Sequence, residues 1–131
     1  MKFLPYILIV LSALPLLARL FLARRARRME GAAIPFNDPE VKDKLRRHGR
    51  VLLYFFSPHC GPCRAMTPIV DRLAARHGNV VKLDVAQAAP IARSLGILGT
   101  PSTVLLKDGK VAQVVTGAAS EKRLEALLAG D

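Results

Sequence analysis

The feature that most constrains this chain is a Cys-Gly-Pro-Cys sequence at residues 60–63, between a strongly apolar run and a segment with helical periodicity. The run, Val51 to Phe56, is aliphatic or aromatic at every position, which favours a strand covered on both faces. Apolar residues then recur at the spacing of an amphipathic helix. The pattern therefore predicts a strand, a short turn and a helix that starts near the cysteines.

The chain has two cysteines, Cys60 and Cys63, and their spacing directs the choice of chemistry. Two cysteines are too few for a disulfide-stapled secreted scaffold, and one C-x-x-C falls short of a zinc site. Arg64 stands where attachment of a c-type haem needs His. Two thiols at this spacing can close and reopen a small disulfide ring. We therefore expect thiol–disulfide exchange without a metal or bound organic cofactor; transient copper or zinc binding is an alternative.

The net charge of +10 raises the question of nucleic-acid binding. Basic residues are concentrated in a flank near the N-terminus and in a cluster between Lys44 and Arg50, and elsewhere the two signs are interspersed. The chain has no Trp, and its aromatic residues lie mostly in apolar runs rather than between basic residues. We predict no nucleic-acid partner and interpret the cluster as a solvated basic face.

The N-terminal segment is apolar from Phe3 to Ala23, apart from Ser12 and Arg19. About 20 helical residues cross a hydrocarbon core, so residues 1–23 are predicted to form a single transmembrane anchor helix. A cleavable signal peptide is the alternative. No small-x-small cleavage site closes the apolar run, which ends in arginines instead, and this favours an uncleaved anchor.

Residues 24–36 are predicted to form a basic linker, and residues 37–131 a single domain. The arginines that follow the apolar run outnumber the one lysine that precedes it, which favours a cytoplasmic domain by the positive-inside rule. N-terminal anchors break this rule in some cases, so a periplasmic domain stays open as the alternative. The basic flank also suits anionic lipid headgroups.

Local signals indicate the order of elements within the domain. Asp38-Pro39 starts a helix that stops at Gly49, and Asp108-Gly109 is a strong hairpin signal. A second strand is predicted at Val80–Val85, a short helix at Pro90–Leu95 and a last helix after Ser120. The order of helices and strands predicts an α/β fold with a mixed sheet.

The chain resembles the thioredoxin family over about residues 37–129. The matching segments are the Cys-Gly-Pro-Cys sequence, Gly99-Thr100-Pro101, Pro68, Lys82, Lys107-Asp108-Gly109 and Gly117. The resemblance implies the thioredoxin fold, a central mixed β-sheet flanked by helices, here preceded by the transmembrane helix. It also implies protein disulfide reduction, because Gly-Pro between the cysteines is similar to the reducing branch of the fold.

The resemblance assigns roles at the active-site turn. Cys60 becomes the nucleophile at a helix N-terminus, and Cys63 the resolving thiol that closes the redox-active disulfide. Pro62 suits a first helical turn, and Gly61 lets a substrate approach.

The resemblance also assigns a substrate-binding segment. The proline that matches Pro101 is cis and faces the cysteines, so an extended substrate segment is expected to pair beside the exposed backbone of Thr100.

Three residues depart from the family pattern. His59 replaces the usual Trp, and, if protonated, it could stabilise a Cys60 thiolate, or it is simply an exposed polar residue. Tyr54 replaces the buried Asp that helps to deprotonate the resolving thiol, and a tyrosine hydroxyl is a poor base at neutral pH. Lys82, which would partner that Asp, is therefore either paired elsewhere or a plain strand residue. These changes concern the tuning of exchange, not its chemistry.

The expected partners are disulfide-containing protein substrates, a dithiol protein or reductase as electron donor, and a membrane, with the protein itself a monomer. Two rival functions remain. One is a periplasmic exchange protein, either a reductant for cytochrome c maturation or an oxidant. The other is a non-catalytic tether that binds extended segments at Pro101.

Overall fold

The computed structural model describes residues 1–34 and 36–130, with the backbone alone at positions 26 and 29. Pro35 and Asp131, which belong to the predicted linker and the predicted domain, lie outside the described residues. Two helices come first, strands and helices then alternate, and an antiparallel strand pair and a helix follow. The elements are α1 (Leu4–Met29), α2 (Pro39–His48), β1 (Arg50–Phe56), α3 (Gly61–Arg76), β2 (Val80–Asp84), α4 (Ala89–Ser94), β3 (Ser102–Lys107), β4 (Lys110–Thr116) and α5 (Glu121–Ala129).

The strands form one four-stranded mixed sheet in the order β2-β1-β3-β4. β1 pairs in parallel with β2 and antiparallel with β3, and β3 pairs antiparallel with β4. Val51 to Phe55 of the central strand β1 are all buried, because helices cover both faces of the sheet. The predicted α/β architecture, a mixed sheet flanked by helices and preceded by an apolar helix, is confirmed.

The strand register gathers four strand termini at one end of the sheet. Phe56 at the end of β1 pairs with Asp84 at the end of β2, and Ser102 at the start of β3 pairs with Thr116 at the end of β4. Because β1 and β3 are antiparallel, all four residues lie at the same end, which we call the Phe56 end. The opposite end, where β1 begins at Arg50, is the Arg50 end.

Each face of the sheet has its own core, because successive side chains of β1 point to opposite faces. On one face Leu52 and Tyr54 pack with residues of α3 and α5. On the other face Leu53 and Phe55 pack with residues of α2 and α4. Burying one large apolar side chain contributes about 1.5–3 kcal/mol, so the first core holds α3, and with it the cysteines, firmly against the sheet.

Short-range signals start and stop the elements. The carboxylate of Asp38 accepts a hydrogen bond from the N–H three residues later, at 2.9 Å, and Gly49 ends α2 with φ of 70°. The hydroxyl of Ser120 caps α5 in the same way, at 3.3 Å. Asp108 and Gly109 take φ of 51° and 77° in the β3–β4 turn, the left-handed conformations that a two-residue hairpin needs.

Helix α1 continues through the arginine-rich part of the predicted linker and ends at Met29, six residues after position 23. Arginine and alanine are strong helix formers, and the backbone turns extended at Glu30. The stretch Leu4–Arg25 has a mean hydropathy of 2.2, and none of its most apolar part is buried. It is long and apolar enough to cross a membrane, a property that a signal sequence near the N-terminus shares.

The segment that follows α1 pairs with the edge strand β4. The N–H of Gly31 donates to the carbonyl of Val111 at 2.6 Å, and the N–H of Val111 donates to the carbonyl of Ala32 at 2.9 Å. The N–H of Ile34 donates to the carbonyl of Gly109 at 3.3 Å, and the pairing is antiparallel. Residues 31–34 of the predicted linker are therefore attached to the sheet by backbone hydrogen bonds.

Candidate active site

Cys60 and Cys63 are joined by a disulfide bond at the N-terminus of α3, with their Cα atoms 5.3 Å apart. Cys60 is the N-cap residue, and its Sγ accepts a hydrogen bond from the backbone N–H of Cys63 at 3.2 Å. The first N–H groups of a helix have no partner within the helix, and the helix dipole adds partial positive charge there. In the reduced protein this environment would stabilise a thiolate on Cys60.

The two cysteines differ in their access to solvent. Cys63 is 3% exposed, whereas Cys60 is half-buried, and Gly61 and Pro62 between them are exposed. Around the position that a Cβ atom would take at Gly61, no side chain of the described residues other than its chain neighbours lies within 4 Å. A substrate disulfide can therefore reach Cys60 past Gly61, while Cys63 is shielded inside the first turn of α3.

Thr100 and Pro101 are joined by a cis peptide bond immediately before β3. Pro101 is buried, and its carbonyl oxygen accepts a hydrogen bond from the N–H of Gly117 at 2.9 Å. Since β3 starts at the Phe56 end, Thr100 and Pro101 lie at the same end of the sheet as the turn that leads to Cys60. The cysteines and the predicted substrate-binding residues thus share one end of the fold.

Tyr54 is fully buried beneath the start of α3. Its hydroxyl lies 3.0 Å from Oγ1 of Thr67 and donates to the carbonyl oxygen of Cys63 at 3.5 Å. Since a tyrosine has one hydroxyl proton, the Thr67 hydroxyl is then the donor in the shorter contact. The ring also stacks on Phe56, with the centroids 5.8 Å apart. Tyr54 therefore ties β1 to the first turns of α3 and supplies a hydroxyl, not a carboxylate, near Cys63.

Lys82 lies opposite Tyr54 in the β1–β2 register, but its ammonium group forms an ion pair with Asp71 of α3. The side chains of Lys82 and Asp71 are 39% and 50% exposed. The sequence left open whether Lys82 is paired elsewhere or is a plain strand residue, and the structure shows that it is paired. Neither Thr67 nor Asp71 was predicted from the sequence. They follow Cys63 at intervals of four residues, the spacing of one helix face, which could have indicated them.

His59 is exposed in the turn between β1 and α3, directly before Cys60. Its backbone N–H donates to Oγ of Ser57 at 3.4 Å, and the N–H of Cys60 donates to the carbonyl oxygen of Ser57 at 3.2 Å. Ser57 therefore shapes the turn that presents Cys60 at the helix start.

An open groove adjoins Thr100 at the Phe56 end. Its walls are mostly apolar, with one basic side chain, and come from the β1–α3 turn, the end of β2, α4 and the loop after α4. The lining residues are Ser57, Val85, Ala89, Ala92, Arg93, Ile97, Leu98, Gly99 and Thr100. Apolar walls beside the exposed residues Leu98 and Gly99 suit an extended peptide segment.

Across residues 1–34 and 36–130, no three His, Cys, Asp or Glu side chains lie close enough together to hold a metal ion. The cysteine pair could offer two sulfur ligands, and structural zinc sites take four ligands. The donor set around Cys60 and Cys63 therefore does not fit a resident zinc ion.

Comparisons with known proteins agree with this geometry. The sequence model of the thioredoxin family matches residues 33–130. The chain is 35% identical over 97 residues to thioredoxin-2 of Pyricularia oryzae. The matched region is 72% of this chain and 56% of that protein. It is 32% identical over 83 residues to thioredoxin of Bacillus subtilis, which covers 61% of this chain and 80% of that protein.

Among solved structures, a mutant thioredoxin from Halobacterium salinarum superposes with a TM-score of 0.64 at 32% identity. That match covers 72% of this chain and 84% of the Halobacterium chain. The predicted thioredoxin fold is thereby confirmed. The chain spans a little over half the length of the Pyricularia relative and most of the Bacillus one. The chain belongs to the thioredoxin family, and its domain at residues 33–130 is a protein thiol–disulfide oxidoreductase with the bonded pair Cys60 and Cys63.

Proposed function

We propose that this protein is a membrane-anchored protein-disulfide reductase. The observation that carries the proposal is the asymmetry of the cysteine pair at the N-terminus of α3. Cys60 is half-buried and accepts a hydrogen bond at its sulfur, whereas Cys63 is 3% exposed. An accessible, stabilised thiolate beside a shielded thiol is the arrangement that attack followed by resolution needs.

The reaction starts from the reduced protein. The Cys60 thiolate attacks one sulfur of a substrate disulfide, the substrate S–S bond breaks, and the departing substrate thiolate takes up a proton. Cys63 then loses its proton and attacks Sγ of Cys60, which releases the second substrate thiol and closes the Cys60–Cys63 disulfide. Two electrons pass from the protein to the substrate, and the product is the oxidised form described above.

The proposed substrate segment lies in the groove beside Thr100 and Pro101. Proline lacks an N–H, so a neighbouring extended chain meets no unpaired donor at position 101. The backbone of Thr100 can form the hydrogen bonds that hold such a chain, and the apolar walls of the groove can contact its side chains.

The proposed partners are disulfide-containing proteins and an electron donor that returns the protein to its reduced state. Thiol–disulfide exchange needs no metal and no bound organic cofactor, so a second dithiol protein or a reductase suffices as the donor. We propose that the protein acts as a monomer, since one domain carries both cysteines.

The proposed anchor is the apolar part of α1, the predicted membrane helix of residues 1–23. Its support is a stretch of 22 residues with a mean hydropathy of 2.2 and an arginine-rich end. The excess of arginine after the apolar stretch supports a cytoplasmic domain.

Reduction of insulin disulfides by the full chain in detergent micelles, driven by a small dithiol, tests the activity. We expect Cys60→Ser to abolish catalysis, and Cys63→Ser to accumulate a covalent complex with insulin through Cys60. Lys107→Ser, at an exposed position of the Arg50 end, is the control and is expected to retain the activity of the parent chain. A Cys60→Ser variant as active as the parent would contradict the proposal and favour a binding-only tether.

A further inference from the structure

The direction in which α1 leaves the domain is fixed by the pairing of its C-terminal extension with β4. Gly31 and Ala32 pair with Val111 near the start of β4, and Ile34 pairs with Gly109 before it. Because this pairing is antiparallel, the chain before Gly31 runs along β4 toward its end at Thr116. That end of β4 belongs to the Phe56 end of the sheet.

The last turns of α1 contact the domain at that end. Leu22 and Arg25 line one pocket together with Gly96, Leu98 and Thr116. Nε of Arg25 lies 3.7 Å from the position that a Cβ atom would take at Gly96. The helix therefore passes the loop that leads into Thr100 and Pro101 before it extends away from the domain.

Residues 4–21 of α1 continue beyond this contact, and their large apolar side chains are exposed. At 1.5 Å per residue they add about 27 Å of helix, close to the thickness of a hydrocarbon core. One residue, Glu30, separates α1 from the paired segment at Gly31, so the chain has little slack for the domain to turn away. A membrane crossed by α1 would thus lie on the same side of the domain as the cysteines.

The surface next to this exit suits a lipid headgroup layer. Leu98 is 66% exposed and, among the described residues, is the one large exposed apolar side chain that follows α1 in the chain. It is two residues from Thr100. The exposed basic residues Arg64 and Arg93 lie on the same side, after Cys63 and in the groove. An apolar tip with flanking arginines is the composition that favours an anionic membrane surface.

We propose that the loop from Leu95 to Pro101 rests on the surface of the membrane that α1 spans, with Leu98 in the interfacial layer. The Cys60–Cys63 pair then acts on disulfides held close to the bilayer, in the membrane-proximal segments of membrane proteins. This inference rests on the proposed anchor and deepens it by naming the class of substrate.

Tryptophan fluorescence tests the orientation, because the chain has no native Trp. The full chain carries one of three substitutions: Leu98→Trp, Lys107→Trp at the Arg50 end, or Leu11→Trp in the middle of α1. Each is reconstituted into vesicles of phosphatidylcholine and phosphatidylglycerol with brominated or unbrominated acyl chains. Quenching is taken as the ratio between the two lipids, which cancels quenching by the disulfide. Circular dichroism verifies that each variant is folded.

We expect strong quenching for Leu11→Trp, and quenching for Leu98→Trp that exceeds that of Lys107→Trp about twofold or more, as interfacial depth requires. Equal quenching for Leu98→Trp and Lys107→Trp, with Leu11→Trp quenched, would overturn the orientation and leave the anchor intact. An unquenched Leu11→Trp variant would overturn the anchor itself. The insulin assay in micelles is independent of both results.

The substrate class has its own test. Disulfide-bearing peptides are attached to the vesicles by a lipid, with the disulfide either next to the headgroups or on a long polar spacer. We expect kcat/KM to be higher for the membrane-proximal disulfide by about tenfold, and a flexible Gly/Ser insertion of about 20 residues between Glu30 and Gly31 to abolish this preference. Equal rates for the two peptides with the parent chain would contradict the proposal.

Discussion

The hydroxyl of Tyr54 lies 3.0 Å from Oγ1 of Thr67 and thereby connects the central strand to the helix that carries the cysteines. The same hydroxyl donates to the carbonyl of Cys63. A polar group at a fully buried position is stable there because both of its hydrogen-bonding functions are used. Position 54 thus has a structural role in holding the start of α3.

Tyr54→Phe removes this hydroxyl with little change in shape. We expect it to lower the free energy of unfolding by about 1 kcal/mol, because the Cys63 carbonyl and the Thr67 hydroxyl lose a partner. Urea unfolding of the oxidised full chain in detergent micelles measures the loss. Thr67→Val and the double variant complete a thermodynamic cycle, and strictly additive losses would show that the two hydroxyls do not interact.

Lys82→Met removes the cation of the Lys82–Asp71 ion pair. Both side chains are well exposed, and a pair of that kind contributes about 0–1 kcal/mol. Since the ammonium is held at Asp71, we expect the rate of insulin reduction to change less than about twofold. Asp71→Asn removes the other partner of the ion pair and is the matched control, and its rate of insulin reduction should equal that of Lys82→Met. A large fall in rate for Lys82→Met alone would show that the lysine acts on the cysteines.

The ion pairs between α3 and α5 predict a pH dependence of stability. A hydrogen bond from Arg72 lowers the pKa of Glu121 below its ordinary value of 4.5, and the charges of Arg72 and Arg76 act in the same direction. A carboxyl group whose pKa is lowered by folding stabilises the fold at pH values above its pKa in the unfolded chain. This contribution is lost as the pH falls through its pKa in the folded protein.

Glu121→Gln should therefore unfold at a lower urea concentration than the parent chain at pH 7, and the difference should shrink below about pH 4. Glu40→Gln removes a carboxylate that is 63% exposed and pairs with Lys44 at 3.4 Å, and is expected to have the smaller effect at pH 7. If Glu121→Gln lowers the urea midpoint of unfolding by the same amount at pH 7 and at pH 3, the ion-pair explanation is contradicted.

From the arginines after the apolar helix we expect a cytoplasmic domain. A C-terminal fusion to a fluorescent protein that folds in the cytoplasm should be fluorescent in a bacterial host, and a fusion to alkaline phosphatase should be inactive. Replacement of Arg24, Arg25, Arg27 and Arg28 by Gln should weaken this preference. An active phosphatase fusion with the native flank would place the domain outside the cytoplasm.

Much of the fold could be predicted because its signals are local. Asp38 and Ser120 cap helices through hydrogen bonds that span three residues, and the Asp108-Gly109 turn uses two left-handed residues. The continuously apolar run at Val51–Phe56 marked the central strand, since neither face of it meets water. Each of these features depends on residues close together in the chain.

The features that could not be predicted depend on residues far apart in the chain. The pairing of Gly31 with Val111 joins a short Gly/Ala-rich segment, without any strand periodicity, to a sheet edge. The Lys82–Asp71 pair needs β2 and α3 to be packed side by side. One further difference is local: α1 ends at Met29, although the predicted membrane helix stopped at position 23, because apolar character marks the membrane span but not the end of helical structure.

The reduction potential of the Cys60–Cys63 pair tests the central claim most directly. The full chain in micelles is equilibrated with mixtures of reduced and oxidised glutathione, and the two redox forms are separated after the thiols are alkylated. A protein-disulfide reductase is predicted to have a reduction potential of about −270 mV. A reduction potential of about −120 mV would make the protein an oxidant and contradict the account.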